Sequence, residues 1–192
     1  MYHRLIQILF VTVCVSTLAG ATTIFSGNFT GAFDPSNWAL ANDNGGDGYL
    51  VVNSSTSVSV YGADNGAGGG AGGLGNYTTF LIAAPSSGTV DVNWLYSTYD
   101  CCGSRWDPAG YQINGVSYQF TVDNGDAGVP QTGTTSFAVT AGDTFGFYVF
   151  SPDSIQGRGE ITILEGVPEP STAGYFAGGL AALWFARRRF TR

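Results

Sequence analysis

Between Thr22 and Gly166 the chain alternates apolar and polar residues with a period of two. Val90, Val92, Trp94 and Tyr96 fall on one side, with Asp91 and Asn93 on the other. Val116, Tyr118, Phe120 and Val122 alternate with Ser117, Gln119 and Thr121, and Phe145, Phe147 and Val149 with Thr144, Gly146 and Tyr148. Ile161 and Ile163 alternate with Glu160 and Thr162. Successive side chains of a strand point to opposite faces, so each run predicts a half-buried antiparallel strand. Tyr49–Asn53, Ser57–Tyr61, Tyr77–Ala83 and Thr134–Thr140 read as further strands. Asn114-Gly115, between Tyr111–Ile113 and Val116–Tyr118, predicts a two-residue hairpin turn, because both residue types tolerate positive φ. No 12-residue stretch shows helical spacing. About nine short strands separated by turn residues predict an all-β fold, an antiparallel β-sandwich of jelly-roll type.

The two ends follow a different pattern. Arg4 precedes an apolar run, Leu5–Leu18, and the small residues Ala19-Gly20-Ala21. That order predicts a secretory signal peptide over residues 1–21, with signal peptidase as a partner during export. At the other end Val167-Pro168-Glu169-Pro170 leads into an apolar run from Ala173 to Ala186, followed at once by Arg187, Arg188 and Arg189. Fourteen residues make about 21 Å of helix, short of a ~30 Å hydrocarbon core. The span therefore reads as a short transmembrane helix that holds the chain transiently. The arginines would stop on the cytoplasmic side and leave residues 22–166 outside.

The order of Pro-Glu-Pro, apolar run and Arg cluster in residues 167–192 resembles the PEP-CTERM sorting signal of Gram-negative bacteria. The resemblance implies recognition by an exosortase, cleavage near Pro168-Glu169-Pro170, and delivery from the inner membrane to the cell surface or the extracellular space. It also implies a setting of exopolysaccharide and biofilm matrix. The stretch from Ser87-Gly88-Thr89-Val90 to Gly157-Arg158-Gly159 is similar to ectodomains of other anchored bacterial surface proteins, and no motif in it names an activity.

Charge sharpens this division. The 192-residue chain has a formal net charge of −7, with 7 basic residues, all Arg, and a single His. Residues 22–166 carry thirteen carboxylates against Arg105 and Arg158 alone, a net charge of −11. Such a body repels phosphate, which excludes nucleic acid as a partner. His3 and Cys14 lie in the signal segment. The exported body then has no His and no Lys, which excludes Ser-His-Asp and Cys-His catalysis, His-bound zinc and Schiff-base chemistry.

Loop carboxylates are the remaining candidate chemistry. Asp43 with Asp47, Asp100 with Asp107, or Asp123 with Asp126 offers hard oxygen ligands of the kind calcium takes. Asp100 and Asp107 are the favoured pair, because they flank a loop with Tyr99, Trp106 and Tyr111. The same two carboxylates are the candidate pair for a glycosidase. Cys101-Cys102 allows three states: two free thiols, a strained disulfide between neighbours, or a bridge to another chain. Trp94 reads as core and Trp106 as a loop residue. Gly62–Gly75, with 8 Gly in 14 residues, reads as a flexible loop. The expectation is a non-enzymatic exported protein, structural or polysaccharide-associated. A calcium-dependent lectin-like or adhesin module is the alternative, and a secreted glycosidase the third reading.

Overall fold

The computed structural model describes residues 22–68 and 73–166. The signal segment, the motif Val167–Pro170, the apolar run and Arg187–Arg189 lie outside the described residues, as does the middle of the glycine-rich loop. Among the described residues no helix is long and apolar enough to cross a membrane.

Eleven strands follow one another: β1 (Thr23–Phe25), β2 (Ala39–Asn42), β3 (Tyr49–Ser54), β4 (Ser57–Tyr61), β5 (Asn76–Ala83), β6 (Gly88–Thr98), β7 (Ala109–Ile113), β8 (Val116–Gln119), β9 (Gln131–Val139), β10 (Thr144–Ser151) and β11 (Gly159–Glu165). Three single 3-10 turns, at Gly31–Phe33, Pro35–Asn37 and Ser104–Trp106, are the helical content of the described residues. One sheet runs β9-β6-β11-β4-β3, and β1 adds a short parallel pairing to the start of β6. The other runs β2-β5-β10-β7-β8 and is antiparallel throughout.

The alternation read from the sequence sets which side of each strand faces the interior. Val90, Val92, Trp94 and Tyr96 of β6 meet Phe145, Phe147 and Val149 of β10 in a shared core. Trp94 stacks on Phe120 with ring centroids 5.2 Å apart. The segment before β3 closes one end of that core. Phe25, Phe29 and Trp38 are buried there, and Trp38 stacks on Phe80 at 4.8 Å. Burial at roughly 25 cal/mol per Å2 makes these aromatic side chains the largest individual contributors to the core.

Two strands escape the sequence pattern. β1 has three residues and β2 has four exposed ones, too short to show alternation. Val116–Val122 also divides: β8 ends at Gln119, and Phe120 turns inward to bond the Ala109 carbonyl. Asn114 (φ 50°) and Gly115 (φ 80°) form the expected hairpin turn. The described parts of the glycine-rich loop are tied down by hydrogen bonds, from Gly75 N to Gly68 O and from Asn65 Nδ2 to Gly45 O.

The loops divide between two ends of the sandwich. One end gathers the β2–β3, β4–β5, β6–β7, β8–β9 and β10–β11 connections. The other holds Thr22 and Gly166: Thr22 accepts a hydrogen bond from Thr89 N, and Gly166 N donates to Ser26 O.

Candidate functional site

The five-stranded sheet turns Phe145, Phe147 and Val149 of its central strand inward, which places Gly146, Tyr148 and Phe150 on its outer face. An outer face of a sandwich is ordinarily solvated. Here Tyr148 is only 4% exposed. The Tyr77 ring packs 5.4 Å from Tyr148 and 4.4 Å from Phe150, so three aromatic rings cluster on the outside of the sheet. Burial, with Tyr77 and the Asp123 charge nearby, pushes the Tyr148 phenol up to about 12, so it stays neutral at any ordinary pH.

Curvature creates this environment. A Cβ at Gly146 would lie 2.0 Å from the Phe80 carbonyl oxygen, and one at Gly110 would lie 2.0 Å from that of Tyr118. The neighbouring backbones approach so closely that only glycine fits, which is the common reason for glycine inside a strand. The sheet curls until its two edges share one open cleft of about 370 Å3. Ala41, Asn42 and Asp43 line it from the β2 side, Tyr77 and Thr79 from β5, and Gln112, Gly115 and Ser117 from the β7–β8 hairpin. Gln112 Nε2 donates to Ser117 Oγ at 3.0 Å, which fixes the amide and leaves its carbonyl oxygen as an acceptor. Asp43 Oδ1 accepts from Tyr77 N at 2.6 Å. The cleft thus combines one aromatic ring, neutral amide and hydroxyl groups, and one carboxylate. Such a lining suits a neutral ligand with apolar ring faces and many hydroxyls.

Asp100 and Asp107 are brought together at the multi-loop end, away from this cleft, and both are 1% exposed. Thr98 links them: its hydroxyl donates to Asp107 Oδ2 at 2.7 Å and accepts from Asp100 N at 3.1 Å. Asp107 Oδ1 accepts from the Ser151 hydroxyl, and the Asp107 carbonyl accepts from Tyr96 OH at 2.8 Å. Burial pushes the Asp107 carboxyl up to about 7 despite these hydroxyl donors. Asp100 is raised by burial and by the charges of Asp153 and Asp64, while Oδ1 accepts from Cys102 N at 2.6 Å. Asp107 therefore joins β6 to β10 from the interior. The sequence pattern offers Asp107 as a loop carboxylate, and its burial has no signature there because Ser151, which bonds it from β10, is 44 positions away.

Of the other candidate carboxylates, Asp43, Asp47 and Asp123 accept hydrogen bonds. Asp47 forms a two-pronged ion pair with Arg158, at 2.5 and 3.0 Å, and the arginine holds its pKa below the usual carboxylate range. Asp123 Oδ1 accepts from Gln119 Nε2 at 2.6 Å, and the Asp126 carbonyl closes a turn with Val129 N. Trp106 ends a 3-10 turn, and the Arg105 guanidinium lies 5.1 Å from its ring. Cys101 and Cys102 are exposed, with sulfurs 2.7 Å apart.

Tyr77, Thr79, Gln112 and Ser117 were not singled out by the sequence pattern, which assigns outward residues to solvent. The available signal was Gly146, inside the alternating run Thr144–Val149.

No family model matches the chain, and no curated protein matches it. Among solved structures, the chain is similar to the N-terminal cellulose-binding domain of Cellulomonas fimi β-1,4-glucanase C. That match has 15% identity and a TM-score of 0.40, covering 76% of this chain and 95% of that one. It is also similar to a carbohydrate-binding module of Cellvibrio mixtus lichenase 5A in complex with cellotriose, at 13% identity and a TM-score of 0.35, covering 69% and 95%. A family 35 carbohydrate-binding module of Clostridium thermocellum matches at 17% identity and a TM-score of 0.32, covering 67% and 98%.

Proposed function

We propose that this chain is a non-enzymatic, exported surface or matrix module that holds a neutral polysaccharide in the cleft of its five-stranded sheet. The cleft itself carries the reading. It is open, and it sets the Tyr77 ring beside amide and hydroxyl groups supplied from two strands and a hairpin. Stacking on Tyr77 supplies contact area, and Gln112, Ser117 and Thr79 supply hydrogen bonds that orient hydroxyls. Asp43 is the only carboxylate among the lining residues, and Tyr77 N holds one of its oxygens. Glycoside hydrolysis by the usual route takes two carboxyl groups flanking the scissile bond. The lining therefore favours retention of a glycan over its cleavage.

The sequence adds the address. The signal segment and the PEP-CTERM-like tail fit export, passage through the inner membrane, and exosortase-dependent delivery to the cell surface. Thr22 and Gly166 lie at one end of the sandwich, and the cleft runs along its side. A chain held beyond Gly166 would leave the cleft accessible.

Electrophoresis of the purified protein through gels containing a soluble neutral polysaccharide tests the binding reading. Retardation of the native protein and loss of retardation in Tyr77→Ala are expected. Equal mobility with and without every neutral polysaccharide would remove the proposal.

A further inference from the structure

We infer that Cys101, Cys102 and Asp100 form a chelating site for a thiophilic divalent cation of the zinc and cadmium type. This inference is independent of the glycan cleft. Among the described residues, a carboxylate oxygen of Asp100 and the two sulfurs lie within 4.8 Å of one another. Both thiols are exposed and open to an incoming ion.

The backbone carrying them is held firmly. Gly103 N closes a turn on the Asp100 carbonyl at 3.3 Å, and Cys102 N donates to Asp100 Oδ1. Asp100 N is bonded to the buried Thr98 hydroxyl, and Tyr99 N to the Arg158 carbonyl. Beyond the turn, Ser104 N donates to the Gly125 carbonyl at 2.9 Å. Gly103 has φ 88°, and a Cβ there would lie 2.4 Å from that same carbonyl oxygen. The two thiols therefore project from a fixed turn, and little ordering is left for an ion to impose.

Charge selects a cation. Asp100 sits in the field of Asp64 and Asp153. Two neighbouring thiolates repel one another, and a divalent ion between them removes that repulsion. The reaction balances without electron transfer: two S–H bonds break, two metal–sulfur bonds form, and two protons leave to solvent. Zn–S bonds of about 2.3 Å at a tetrahedral angle need sulfurs roughly 3.8 Å apart. Rotation of the two exposed side chains supplies the extra ångström. Asp100 offers an oxygen ligand, and water completes the shell. Calcium prefers oxygen ligands, so this is a different site chemistry from the one its carboxylates alone suggest.

The test uses cadmium alone on reduced, metal-free protein. One equivalent per chain, the ultraviolet charge-transfer band of a cadmium–thiolate, and release of two protons at neutral pH are expected. Cys101→Ser and Cys102→Ser should each weaken binding at least tenfold and remove most of the band. Asp100→Asn should weaken binding with the band retained. Magnesium and calcium should not compete. Absence of the band in fully reduced protein, or binding unchanged in both cysteine variants, overturns the inference. Protein recovered two hydrogens lighter than the dithiol is reduced before the titration, and the same outcomes then decide.

Discussion

Asp107 shows what a single buried carboxylate does to this molecule. Hydroxyls of Thr98 and Ser151 bond its two oxygens, yet burial still pushes its pKa up from 3.8 to about 7. In the unfolded chain it titrates near 3.8. Between these values the folded state binds the extra proton, so folding stability falls as pH rises from about 4 to about 7, and then levels. A shift of this size corresponds to roughly 4 kcal/mol across the window. Asp100, also raised, acts in the same direction. Thermal unfolding should therefore give a higher Tm at pH 5 than at pH 8. Asp107→Asn should flatten that slope and match or exceed the parent at pH 8. A Tm that rises from pH 5 to pH 8 would contradict this reading. Tyr96→Phe removes the hydroxyl bonded to the Asp107 carbonyl and should cost about 1 kcal/mol in denaturant unfolding.

Strands were the legible level of this sequence, and curvature was not. Ser57–Tyr61 forms the strand its alternation predicts, and β5, β6, β10 and β11 extend their predicted cores by a residue or more at one or both ends. That legibility has a physical source, since one buried face fixes both period and register. The cleft depends instead on how far the sheet curls, which no single strand encodes. Gly146 and Gly110 mark it, each at a place where a neighbouring carbonyl leaves no room for a Cβ. Gly146→Ala should lower stability by about 3 kcal/mol or prevent folding, because both backbones must move. Gly115 differs. It has φ 80° but nothing within 4 Å of its added Cβ, so Gly115→Ala should cost only about 1 kcal/mol. Chemical denaturation of the two variants checks the contrast, and equal costs would show that curvature is not what requires Gly146. The site residues stayed hidden for a related reason. Tyr77, Gln112 and Ser117 come from separate strands, and Asp107 meets Ser151 across 44 positions.

At the scale of the whole molecule, charge and layout point the same way. The body carries thirteen carboxylates and two arginines. Arg158 is paired with Asp47, and Arg105 lies over Trp106. Neither arginine is among the residues lining the cleft. An acidic polysaccharide would meet net repulsion there, strongest at low salt where the Debye length is long. Retention should therefore favour neutral over uronate-rich polysaccharides, and the preference should narrow as salt is raised. The reverse preference would place the ligand elsewhere on the molecule. Calorimetric titration of the purified protein with a soluble neutral oligosaccharide series tests the central claim most directly. The account predicts saturable heat with at least one neutral glycan. It also predicts at least tenfold weaker binding, about 1.4 kcal/mol, in both Tyr77→Ala and Gln112→Ala. Binding of undiminished strength in both variants, or no heat with any neutral glycan, would contradict it.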